Sequence, residues 1–166
     1  ADAHVYGDAE IARRSLSILD AYTGDVNGIV TYSMWTVISH DLYQLYFGDG
    51  QFLKDRWWRI KWRVDNLISR CDADGFVEKE LDWVFIDWAG PDSKTALNVI
   101  WAGALDAAVR LAERVDDPCA ADYRALRDKV KANLNRSAWD EKRGLYRVNP
   151  ADADSGFARQ ANIYAV

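Results

Sequence analysis

Flat aromatic rings set near carboxylates are the most suggestive chemistry in this sequence. Its 166 residues include eight Trp and eight Tyr, and Trp83, Phe85, Asp87 and Trp88 fall within a few positions of one another. An aromatic ring packs against the C–H face of a pyranose, carboxylates bond its hydroxyls, and hydrolysis of a glycosidic bond takes two carboxyl groups placed across it. The carboxylates open to such a role are Asp2, Asp8, Glu78, Glu80, Asp82, Asp87 and Asp92. Several have an ordinary use as well. Asp8 and Asp92 stand where helices need N-caps, and Glu78 and Glu80 flank Lys79 as solvated residues would. Asp87 sits between Ile86 and Trp88, and a carboxylate among apolar residues needs partners or a raised pKa.

Other chemistries are poorly served. His4 and His40 are far apart and have no acidic or Cys partners at ligand spacing, which supports neither a Ser-His-Asp arrangement nor a zinc site. Inside an apolar helix, His40 reads as a hydrogen-bonded core histidine. Cys71 and Cys119 lie in separate segments without a second ligand nearby. Gly24, Gly28, Gly48 and Gly50 fall in turns that lack the strand-then-helix context of a phosphate loop. No metal or organic cofactor is implied. A net charge of -5, with Lys and Arg mixed among acids, argues against a nucleic-acid surface and favours a neutral or cationic ligand. The most apolar stretch, 29–47, is interrupted by Thr, Ser, His, Asp and Gln short of the roughly 18 residues a membrane span needs, so a soluble chain is expected. No targeting signal is visible at the N-terminus, and nothing indicates a compartment.

The elements that must position these residues are helices. Asp8 caps a first pattern running to Tyr22, and a second, at 29–47, carries the stripe Tyr32, Trp35, Ile38, Leu42 and Leu45 with further apolar residues beside it. It is expected to lie buried between neighbours. A third helix at 51–71 is amphipathic, with Leu53, Trp57, Ile60, Val64 and Leu67 on one face and Arg59, Lys61, Arg63 and Asp65 assigned elsewhere. After the turn Asp72-Ala73-Asp74-Gly75 comes the longest irregular stretch, 76–91, the kind of loop that carries function on a rigid scaffold. Asp92 or Ser93 caps an apolar fourth helix to Val115, Pro118 separates it from an amphipathic fifth at 120–138, and a sixth is expected from Ser155. Apolar and amphipathic helices thus alternate in hairpins, as in a double ring of inner and outer helices. Trp57, Trp58, Trp62, Trp101 and Trp139 fall within or at the ends of helical patterns and are expected to pack, whereas Tyr32, Trp35, Trp83 and Trp88 are placed to line a mouth.

Several motifs in register carry a resemblance over essentially the whole chain. Val5-Tyr6-Gly7-Asp8, Tyr32-Ser33-Met34-Trp35, Asp41-Leu42-Tyr43 through Gly48-Asp49, Asp74-Gly75-Phe76, Val84-Phe85-Ile86-Asp87-Trp88, Thr95-Ala96-Leu97-Asn98, the Trp139 to Tyr146 turn and Gln160-Ala161-Asn162 resemble glycoside hydrolase family 78, the α-L-rhamnosidases. The resemblance implies an all-α fold of helical hairpins forming part of an (α/α)6 barrel, and inverting hydrolysis of terminal α-L-rhamnosides. Inverting carboxyls stand about 6.5 to 9.5 Å apart to admit water. Carried over by motif, Asp2 matches the general acid, one residue nearer Asp8 than the family pattern and without its basic neighbours, while Asp8 and Tyr6 match sugar-contacting positions. Trp35, Asp87 and Trp88 match the sugar-binding wall, and Tyr32, near the start of the same helix as Trp35, is taken as a substrate-binding residue beside them. The general base is expected beyond Val166. Residues 1–166 are therefore expected to be a partial catalytic domain, incomplete at both ends and inactive alone. Its expected partners are a rhamnoside substrate and the remaining barrel and β-domains of the parent protein, with no nucleic acid and no membrane. The alternatives are another α/α-barrel glycosidase, trehalase-like or debranching, and a non-catalytic helical scaffold.

Overall fold

The computed structural model describes residues 8–78, 83–86 and 93–165. Among these are six α-helices: α1 Ala9–Asp20, α2 Val30–Phe47, α3 Gly50–Ser69, α4 Lys94–Arg114, α5 Ala120–Ser137 and α6 Arg159–Ile163. A 3₁₀ turn at Val26–Gly28 leads into α2, and a short antiparallel hairpin, β1 Trp139–Asp140 with β2 Leu145–Tyr146, joins α5 to α6. Local chemistry sets most boundaries. Asp8, Asp49 and Ser93 each accept a backbone N–H from the first turn that follows. Gly48, at φ +62°, ends α2 in the left-handed conformation and donates to the Gln44 carbonyl. The last helix starts at Arg159, four residues later than the sequence suggested. Asn149 and Asp152 accept the backbone N–H groups of Ala151 and Asp154, and Arg147 bridges Phe157, so turns outcompete a helix there.

The layers follow from burial. Helix α4 packs against α2 on one side and α5 on the other, and α3 covers the outside of α2. By length and composition α4 is apolar enough to cross a membrane, yet 78% of its most apolar window is buried inside the protein, as an inner helix requires. Its small residues Ala104, Ala107, Ala108 and Ala112 are wholly buried and admit close neighbours. Trp101 fills the centre with no exposed surface, its indole N–H satisfied by the Gly75 carbonyl at 3.2 Å.

Three sequence expectations change. In α2 the buried side is Val30, Met34 and Val37, whereas the stripe that read as the packing face leaves Trp35 38%, Leu42 45% and Leu45 67% exposed. Trp58 and Trp62, expected to pack, stand 62% and 42% exposed on α3. Arg63, assigned to the solvent face, is 3% exposed: it donates to the carbonyls of Leu19, Tyr22 and Gly24, the end of α1 and the loop beyond.

Two stability predictions arise here. Gly75 has φ +86°, and a Cβ there would lie 3.0 Å from Leu126 Cδ1 and 3.1 Å from Val130 Cγ2. Gly75→Ala is therefore expected to cost about 2 kcal/mol, read as a lower urea midpoint at unchanged m-value. Asp117 accepts the Cys119 N–H and the Trp57 indole N–H, which hold its carboxyl down at about 2. Because the folded value lies below the unfolded one of about 4, this stabilisation is complete above pH 4 and is lost as pH falls through about 2. Asp117→Asn should flatten the fall of the urea midpoint across that window, and identical slopes would remove Asp117 from the acid limb.

Candidate functional site

The inner helices begin together at one end. Ile38 meets Gly103 midway, and further along both helices Asp41 pairs with Arg110 at 2.7 Å, so α2 and α4 run parallel. The loop at 83–86 is tied to the first turn of α2: Val30 N–H donates to the Trp83 carbonyl at 2.9 Å and the Thr31 hydroxyl to the Phe85 carbonyl at 2.6 Å. At the start of α4, Ser93 Oγ and the Thr95 N–H both donate to Val148 O, which brings the chain after β2 to the same end.

An aromatic cluster marks this mouth. Tyr32 meets Phe85 edge-on at 6.3 Å, Phe85 meets Trp83 at 6.0 Å, and Trp35 meets Tyr164 at 5.8 Å. Trp83, Trp35 and Tyr164 remain partly exposed, at 53%, 38% and 39%. An edge-on pair leaves ring faces available, and exposed aromatics grouped at the end of an apolar bundle are suited to stacking on a flat ligand. A cavity of about 290 Å³ opens beside the first turn of α4, where the exposed Glu78–Lys94 ion pair faces Asp72, Asp74 and Asn98. Its polar groups are partly committed: Asp72 accepts the N–H groups of Asp74 and Phe76, and Asn98 accepts that of Val77.

The sequence-derived site residues separate. Tyr32 and Trp35 come to the mouth with the Trp83–Phe85 loop. Asp8 does not join them. It caps α1, whose Arg13 approaches Asp49 at 3.6 Å beyond the far end of α2, while Asp20 at the other end of α1 meets His40. Helix α1 therefore starts at the end where α2 finishes, and Asp8 stands away from Tyr32 and Trp35. Asp2, Tyr6, Asp87 and Trp88 lie outside the described residues, as do Glu80, Asp82 and Asp92. His40 is a core histidine, 3.0 Å from Asp20 with both side chains 1% exposed. Among the described residues no group of His, Cys, Asp and Glu is arranged to hold a metal.

Phe85 and Tyr164 were missing from the sequence-derived set. Tyr164 lies five residues after the first residue of α6, as Trp35 does in α2, so equivalence between inner helices was the available signal.

The sequence model of the bacterial alpha-L-rhamnosidase 6 hairpin glycosidase domain matches residues 18–158. Among solved structures the chain is similar to a rhamnosidase from Klebsiella oxytoca with rhamnose bound, with TM-score 0.83 and 23% identity over 96% of this chain and 34% of that one. It is similar also to the GH78 family rhamnosidase of Bacillus sp. GL1, with TM-score 0.76 and 20% identity over 95% of this chain and 18% of that one. At these identities the likeness establishes the fold, and the chain spans about a third of the first structure's length and under a fifth of the second's. No curated protein matches the chain. Alternating inner and outer helices, the aromatic mouth and a family match over most of the sequence agree: the chain belongs to the bacterial α-L-rhamnosidase six-hairpin glycosidase family.

Proposed function

We propose that this chain is part of the catalytic barrel of an inverting glycoside hydrolase that removes terminal α-L-rhamnose, and that it supplies one wall of the sugar subsite. The observation that carries the proposal is the exposed face of α2. An inner helix that ends in solvent-facing Leu42 and Leu45 has an apolar side that further inner helices would cover, and the same face carries Trp35 and Tyr32 at the mouth. The lower part is packing surface and the upper part is ligand surface. The wall consists of Tyr32, Trp35 and Tyr164, and the family resemblance adds Asp87 and Trp88 to it.

In this reading the aromatic rings hold the apolar faces of rhamnose, whose C6 is a methyl group, and the Asp87 carboxylate accepts from its hydroxyls. The acid and base are outside the described residues: Asp2 is the acid the resemblance designates, and the base belongs to the remainder of the barrel. Asp8 is assigned to helix capping instead of sugar contact. Proton NMR of a fresh aryl α-L-rhamnoside digest by the full-length protein tests the proposal. The first rhamnose released should be the β-anomer; first release of the α-anomer, or cleavage of an aryl glucoside in preference, would overturn it.

A further inference from the structure

The loop at 83–86 is attached to α2 through two adjacent residues of that helix, and one of the attachments is a side chain. Helix α2 begins without a capping side chain, because Ile29 precedes it and offers no side-chain hydrogen bond to the first turn. The first N–H groups of a helix have no partner within it and need acceptors from outside. One acceptor comes from the loop: the Val30 N–H donates to the Trp83 carbonyl, and Ile29 pairs with Trp83 in an isolated parallel bridge. The second attachment belongs to Thr31. Wholly buried, it donates from Oγ1 to the Phe85 carbonyl at 2.6 Å, across 54 residues of sequence.

Two comparisons within the chain set this bond apart. Further along α2, Thr36 Oγ1 donates to the Tyr32 carbonyl one turn back, the usual use of a hydroxyl within a helix. Thr95 is the second residue of α4 as Thr31 is of α2, and it is equally buried, yet its Oγ1 has no hydrogen-bond partner. What Thr31 fixes is the ring shared by the aromatic cluster. Phe85 meets Tyr32 at 6.3 Å and Trp83 at 6.0 Å, both edge-on, and Trp83 stands 53% exposed. Edge-on pairs are directional, so a shift of the Phe85 backbone disturbs the rings on both sides of it. We infer that Thr31 is a positioning residue for the sugar subsite: its hydroxyl holds the Phe85 carbonyl, and through it sets Phe85 and Trp83 against Tyr32, without touching the sugar. The inference rests on the reading of the mouth as that subsite. A loosened wall weakens binding of substrate and transition state alike, so the loss falls on KM while kcat holds.

Steady-state kinetics of the full-length protein on an aryl α-L-rhamnoside test it. Thr31→Val, close in shape but without the donor, should raise KM about fivefold and keep kcat within about twofold of wild type, the size of one net hydrogen bond. It should also speed amide hydrogen exchange in peptides covering 83–86. Thr31→Ser restores the hydroxyl and should bring KM back to within about twofold of wild type. Thr95→Val removes a hydroxyl that bonds nothing from the same place on the parallel helix, and should leave both constants unchanged. Unchanged KM in Thr31→Val, where Trp35→Ala does lower kcat/KM, would overturn the inference and leave the subsite reading standing. Unchanged values in both Thr31→Val and Trp35→Ala would remove the subsite reading and the inference with it. Equal rises of KM in Thr31→Val and Thr95→Val, or no recovery in Thr31→Ser, would assign the effect to core packing and overturn the inference. So would a fall in the melting temperature of Thr31→Val by more than about 10 °C, which would make the bond a contact of the fold.

Discussion

Replacing Trp35 by alanine in the full-length protein is expected to lower kcat/KM toward an aryl α-L-rhamnoside about 30-fold, the effect of removing roughly 2 kcal/mol of aromatic contact. The ring is 38% exposed and touches Tyr164 edge-on, so truncation strips the wall without opening the core. The melting temperature should therefore stay within about 2 °C of wild type. Trp35→Phe should recover most of the lost activity, because a smaller flat face remains. Unchanged kcat/KM in Trp35→Ala would place the sugar elsewhere.

Arg63→Met should produce the largest loss of stability. Arg63 donates to Gly24 O at 3.1 Å, Leu19 O at 3.1 Å and Ser33 Oγ at 3.3 Å, and reaches Tyr22 O at 3.5 Å. Burial works against its charge, while Asp20 and Asp25 nearby favour it. A thioether satisfies none of those acceptors and leaves the two carboxylates facing an uncharged neighbour. The expected cost is about 3 to 5 kcal/mol, or a fall of ~10 °C in melting temperature. Arg63→Lys should recover part of it, since an ammonium carries the charge but lacks the planar fork that serves several carbonyls at once. A fall of under about 1 kcal/mol in Arg63→Met would mean that water or rearranged backbone replaces the guanidinium.

Arg63 also shows how sequence reading divides into what it can and cannot see. Its charge led the sequence reading to set it apart from the face of Ile60, Val64 and Leu67; the deciding carbonyls belong to α1 and the loop beyond it, some forty residues away. Helix limits were legible because Asp8, Gly48, Asp49 and Ser93 act locally. The start of α6 was less so, since the side chains of Asn149 and Asp152 compete for the same N–H groups a helix would use.

The candidate site divides in the same way. Tyr32 and Trp35 were legible from their place at the start of an apolar helix, but Phe85 and Tyr164 join them only because separate inner helices lie parallel and a loop is tied to one of them. Gly7-Asp8 before a helix matched a sugar-contacting motif, yet an Asp in that position also caps a helix. Trp58 and Trp62 had the spacing of packing residues, yet both stand partly exposed on α3.

The central claim, a rhamnose subsite at the mouth of the inner helices, is tested most directly by titrating the full-length protein with L-rhamnose, D-glucose and D-galactose while following its melting temperature. L-rhamnose alone should raise it, and both Trp35→Ala and Asp87→Ala, folded as wild type, should abolish the rise. Equal responses to the three sugars, or a rhamnose response that survives both substitutions, would contradict the claim.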